Sequence, residues 1–285
     1  MPIALGPTTY GKSGVRLVKV RRDSERHELI DLDVAVALAG NFAAAHLDGD
    51  NTALLATDTM RNTVYAFAKT HPLDSIEAFG LALAEHFVTR GPTVSGATID
   101  IASFPWRRIA VAGVEHPHSF VRESGERTAM VSFDQSGRRV TAGLRDMLLL
   151  KTTQSGWEQF YRDDLTTLPD TDDRILATSV TARWDYAPAE LDALDYNAAW
   201  QDAYETILST FTDHYSPSMQ FTLHQIGRAV LERVPQIERI FLSFPNKHHL
   251  RYDLARFGLA NNNEIFQATS EPYGLIEGWV VRQKD

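Results

Sequence analysis

One order of patterned segments occurs twice along this chain, and that repetition narrows the fold more than any other feature. GVRLVKV is rich in strand-forming residues. ELIDLDVAVAL alternates, with Ile30, Leu32, Val34, Val36 and Leu38 on one face and Asp31, Asp33, Ala35 and Ala37 on the other. A period of two with one apolar face marks a half-buried strand. The charged RDSERHE between these segments suits a hairpin loop. NTVYAFAK reads as a short helix. A second helix follows Pro72: Asp74 or Ser75 is placed to cap it, Ile76, Phe79, Leu83 and Phe87 recur at helical spacing, and Gly91-Pro92 stops it. ATIDIASF, SFVRE and TAMVSFD then read as strands, with Gly125 and Gly137 in turns.

The second half gives the same order. RRVTAGLRDMLLLKT and RILATSVTARWDY read as strands, and Trp200, Tyr204, Ile207 and Phe211 mark a helix. Ser216-Pro217 offers a cap and a first residue for another helix, running through Leu231. IERIFLSF, HLRYDL and YGLIEGWVV close the chain as strands, and IASFPWRRI in the first half is echoed by FLSFPNKHH in the second. The expected fold is α+β: two tandem antiparallel ββααββ units, residues 1–137 and 138–285. Sheets of this kind leave exposed edges, so copies are expected to pair edge to edge into closed rings, making a homo-oligomer.

Composition limits the function. The formal net charge of -9 argues against a nucleic-acid partner, and a site for an anion must supply its own local positive charge. With 0 cysteines there is no disulfide scaffold and no thiolate chemistry. MPIALGPTTYGK does not read as a secretory signal, no apolar run approaches a membrane span, and VVRQKD is not a receptor-read targeting tripeptide. A soluble, cytoplasmic protein is expected.

The familiar catalytic signatures are missing: no G-x-G-x-x-G after a strand, no P-loop, no G-x-S-x-G and no H-E-x-x-H. His116-Pro-His118 and His248-His249 raise the question of a metal. Adjacent histidines on a strand point to opposite faces, however, and His116 and His118 flank a proline in a loop-like stretch, so no metal is expected. Three segments are more pointed. Lys12 stands between Gly11 and Ser13-Gly14 at the start of a strand, where a lysine is ordinarily a solvated group. Thr57-Asp58-Thr59 follows an apolar run and precedes a helix, where such residues most often serve as caps. SFPNKHH ends an apolar strand in Asn246, Lys247, His248 and His249. If the strand resumes there, Asn246 and His248 face one way.

Taken together and in order, GKSGVRL, LLATDTMRNTVYAFAK, YRDDLTTLPDTDDRILATSV, SPSMQ and SFPNKHH resemble urate oxidase, from about Tyr10 to about Trp279. That resemblance implies the tunnelling fold (T-fold), in which duplicated ββααββ units assemble as a homotetramer around a channel. It implies oxidation of urate by O2 and water, with no cofactor beyond O2 as co-substrate, to 5-hydroxyisourate and hydrogen peroxide. It puts a proton relay on Lys12, Thr57 and His248. It assigns substrate contacts to Thr57, Asp58, Trp157, Leu168, Arg174, Met219, Gln220 and Asn246, with Lys and Thr coming from one subunit and the purine clamp from its neighbour. The family has a phenylalanine beneath the purine where this chain has Trp157. Two other readings stand beside it: a pterin-type tunnelling-fold enzyme, disfavoured by the lack of cysteine and of a suitable histidine trio, and a non-catalytic purine-binding oligomer.

Overall fold

The computed structural model describes residues 3–283. The chain divides into two compact units: residues 1–143 with 185–197, and residues 144–184 with 198–285. In chain order the elements are β1 (Thr9–Arg21), β2 (Glu28–Gly40), α1 (Ala43–Leu47), α2 (Thr57–Thr70), α3 (Ile76–Arg90), β3 (Val94–Ser103), β4 (Trp106–Val111), β5 (Val114–Arg122), β6 (Glu126–Asp134) and β7 (Gly137–Lys151). They continue with β8 (Leu176–Tyr186), α4 (Tyr196–Thr212), α5 (Met219–Arg233), β9 (Ile237–Pro245), β10 (His249–Arg251), β11 (Phe266–Ala268) and β12 (Leu275–Val281).

In the first unit β1, β2, β3 and β6 pair antiparallel in that order. The alternation in β2 has its expected effect: Leu32, Val34, Val36 and Leu38 are buried. Register carries the same face across the sheet, with Val34 opposite both Val15 and Ile101, and Ile99 opposite both Val36 and Val131. Helix α3 packs on β3 and β6, burying Phe79 and Leu83, and α2 packs on β1. Each such side chain contributes about 2 kcal/mol of burial. Asp31 departs from the alternation: it is buried, ion-paired with Arg16, and accepts Trp106 Nε1–H at 3.0 Å. Glu77, in the first turn of α3, is also buried and takes Arg127 Nη2 at 2.7 Å. Burial pushes its carboxyl up against the pull of Arg127.

In the second unit β9 pairs antiparallel with β12, placing Ile240 opposite Val280 and Phe244 opposite Ile276, and α5 packs across both strands. Leu176, Val180 and Trp184 of β8 and Ile226 and Val230 of α5 are fully buried.

Each half therefore carries four principal strands and two principal helices, with a two-stranded ribbon inserted between its third and fourth strands: β4–β5 in the first, β10–β11 in the second. The Ser-Phe-Pro echo marks the same place in both. Ser103 ends β3 and Pro245 ends β9, each just before its ribbon.

Several local expectations are corrected. SFVRE is strand as expected, at the end of β5, but His116 and His118 lie on that strand too and not in a loop. HLRYDL shortens to β10. Helix α2 begins at Thr57, so the hydroxyls of Thr57 and Thr59 lie inside it and its N-cap is Ala56. Helix α5 is capped by Ser218, not Ser216: Ser218 is extended and its Oγ accepts Phe221 N–H at 3.1 Å, while the Ser216 hydroxyl is engaged by Thr222 and Ser218 O.

Candidate active site

Lys12, Thr57 and Asp58 fall in the first unit. Lys12 pairs with Val36 immediately before a register shift to Val15, so a β-bulge follows it. A bulge bends its strand and re-aims the neighbouring side chains. The residue before it must be glycine, because a Cβ on Gly11 would stand 1.8 Å from Val36 O. Tyr10 shares the half-buried face of Lys12, and its hydroxyl donates to Leu55 O at 3.1 Å and accepts Leu55 N–H at 2.7 Å. This double contact brings the start of β1 to the start of α2, two residues from Lys12 and two from Thr57. No side chain caps α2 among the described residues, so the first N–H groups of the helix stay open at Thr57 and Asp58. Such a terminus favours an anion. Asp58 itself is exposed and ion-paired with Arg61 at 2.6 Å.

Trp157, Leu168, Arg174, Met219, Gln220, Asn246 and His248 fall in the second unit. Arg174 lies two residues before β8, and Ser155 holds it twice: Arg174 N–H donates to Ser155 O at 2.9 Å and Arg174 Nε to Ser155 Oγ at 3.3 Å. Burial pulls the guanidinium pKa down, with Tyr215 opposing. The guanidinium carbon stands 5.9 Å from the Trp157 ring centre, and Trp157 stacks on Phe160 at 5.5 Å with 14° between the planes. Trp157 is fixed by a pair of backbone bonds with Thr171, at 2.7 and 3.1 Å.

Met219 and Gln220 are the first two residues of α5. Met219 is 2% exposed, while Leu168 is 55% exposed in the segment between Trp157 and Arg174. Strand β9 stops at Pro245, so Asn246 and His248 lie between strands. Asn246 N–H donates to Gly274 O and Lys247 N–H to Ala177 O, both at 2.8 Å, and His248 O accepts Thr269 N–H at 2.9 Å. The structure thus gathers Arg174 with Trp157, and sets Asn246 as the bridge partner of Thr178 on the strand that Arg174 precedes.

Sequence reasoning did not single out Tyr10, Ser155 or Tyr215, and read Ser216 only as a helix cap, although these residues hold the groups in place. Gly156 was the available signal: a Cβ there would stand 2.1 Å from Tyr215 Oη. Among the described residues no group of three or more His, Asp or Glu side chains is placed to hold a metal, and no helix is long and apolar enough to cross a membrane.

The class these features define is a duplicated α+β protein. One unit presents an amine and a hydroxyl beside an uncapped helix start. The other presents a guanidinium, a carboxamide and stacked aromatic rings, groups that suit a flat anion. The Uricase family model matches residues 8–131 and 140–277. The chain is 43% identical to the uricase of Arthrobacter globiformis over 282 residues, 99% of this chain and 91% of that one. It is 39% identical to the uricase of Dictyostelium discoideum, over 96% of each. The crystal structure of the Arthrobacter globiformis uricase superposes with a TM-score of 0.94 at 42% identity, covering 100% of this chain and 97% of that one. The chain belongs to the uricase family.

Proposed function

We propose that this chain oxidises urate with O2 and water to 5-hydroxyisourate and hydrogen peroxide. The observation that carries this reading is membership of the uricase family across both halves of the chain. Thr57 takes a proton from urate and passes it to Lys12, since a hydroxyl is a poor base without an amine behind it. Arg174 offers its planar fork to one edge of the purine and the positive charge that an acidic chain otherwise lacks. Gln220 pairs the amide edge, and Trp157 stacks beneath the ring. The first N–H groups of α2, at Thr57 and Asp58, stabilise the charge that develops. Asn246 and Thr57 hold O2, then water, above the ring, and His248 relays the proton that the water loses. Electrons pass from the urate dianion to O2, and water adds to the oxidised ring. The protein contributes deprotonation, stacking and a preorganised field, with no cofactor. Leu168 and Met219 form apolar wall.

The working form is a cytoplasmic homotetramer, with the Lys12–Thr57 set and the Arg174–Gln220 set of one site donated by different copies and the two repeats joined near Gly137. Strand β1, which carries Lys12, ends its sheet and leaves an open edge for a second copy, which supports that reading. The test is to follow urate absorbance and peroxide together in the purified protein. Urate loss with matching peroxide is expected; urate binding without turnover would leave a non-catalytic binder instead.

A further inference from the structure

Behind these residues of the second unit lies a set of buried polar groups that the proposed reaction does not use. Ser155, Ser216 and Thr222 are each 0% exposed. His214 places Nδ1 2.5 Å from Thr210 O and Nε2 2.9 Å from Thr222 Oγ1. Thr222 Oγ1 lies 2.6 Å from Ser216 Oγ, which also reaches Ser218 O at 3.1 Å, and Lys151 Nζ donates to His214 O at 2.8 Å. A carbonyl only accepts, so the proton of the neutral ring sits on Nδ1. Nε2 then accepts from Thr222, Thr222 accepts from Ser216, and the single Ser216 hydroxyl proton is shared between Thr222 Oγ1 and Ser218 O. Every member has a partner, the condition under which a buried polar network fixes geometry.

Ser216 is where this chain meets the site. Its N–H donates to Gln154 O and its C=O accepts Gly156 N–H, both at 2.9 Å, so Ser155 is its bridge partner. Ser155 in turn holds Arg174, and Trp157 follows two residues on. On its other side Ser216 leads through Pro217 to Ser218, the cap from which Met219 and Gln220 begin α5. One buried serine thus sets the spacing between the guanidinium–indole side of the clamp and the carboxamide side.

We propose that His214 is a positioning residue for purine binding, acting through Thr222 and Ser216 to fix Arg174 and Gln220 relative to each other; this rests on the urate oxidase reading. The test uses full-length His214→Ala, Thr222→Val and His214→Gln proteins, with kcat and KM for urate, the Kd for xanthine (a purine of similar shape) and the melting temperature measured on each. His214→Ala and Thr222→Val are expected to raise KM and the xanthine Kd about tenfold, with kcat within about threefold of the parent. His214→Gln, which keeps a donor and an acceptor, is expected to recover most of the binding. A lowered melting temperature with KM and xanthine Kd unchanged in both variants overturns the proposal, as does failure of the glutamine to restore binding. If the parent protein itself neither binds xanthine nor consumes urate, the urate oxidase reading fails as well; if the parent is active and the variants match it in KM and xanthine Kd, that reading stands and the positioning role alone falls.

Discussion

Thr57 opens a helix whose cap is alanine, so no cap side chain takes up the first N–H groups beside its hydroxyl. If that hydroxyl handles the substrate proton, Thr57→Ala should lower kcat for urate by about 100-fold or more while xanthine still binds, as paired kinetic and binding measurements will report. His214 gives a prediction about pH. Burial holds its imidazole pKa below the usual value, with Thr210 O opposing and Lys151 assisting. The unfolded chain therefore binds the proton first as pH falls, and stability is kept above about 6.5 and lost below it. Asp213 also faces the ring and raises its pKa, a smaller effect than burial. Between pH 7.5 and 5.5 the parent should lose melting temperature relative to His214→Gln; parallel curves would contradict this. At this scale sequence reading could single out Lys12, Thr57, Arg174, Gln220, Asn246 and His248 as candidates, because they stand in distinctive short motifs. It passed over Ser155 and Thr222 and read Ser216 only as a helix cap, since a buried serine or threonine has no periodic signature and these acquire meaning only once Ser155 and Ser216, far apart in the chain, form a bridge.

Strand β1 delivers Lys12 through a bulge that depends on close backbone approach at Gly11. Gly11→Ala should part β1 from β2 at that point. The expected result is a melting temperature lower by several degrees, from a local cost of about 1–3 kcal/mol, together with loss of urate turnover; a variant with normal turnover would show that the approach is dispensable. The principal strands and the second helix of each half were legible because one face is buried and the period shows, as in Leu32, Val34, Val36 and Leu38 or in Phe79, Leu83 and Phe87. The ribbons were less so. In β4–β5, Trp106, Ile109, Val111, Val114 and Val121 are exposed, and without a buried face alternation carries no information. The cap of α5 was misplaced by two residues because Ser216 and Ser218 are both serine, and only the use of the Ser216 hydroxyl elsewhere decides between them.

At the scale of the whole molecule, the duplicated order of elements gave the fold class, and the ordered motifs gave the family. What no single chain's sequence displays is how copies combine. Lys12 and Thr57 belong to one compact unit and Arg174 and Gln220 to the other, and the proposed assembly completes each site between copies. Thr57→Ala and Arg174→Ala proteins, each inactive alone, should regain roughly a quarter of parental activity per site when unfolded together and reassembled at equal amounts, because random association then reunites intact halves. A site built within one chain would regain none. The most direct measurement of the central claim is oxygen uptake by chelator-treated protein on addition of urate. Steady uptake with an equal yield of peroxide is predicted; no uptake, or uptake that returns only when a metal or flavin is supplied, would contradict it.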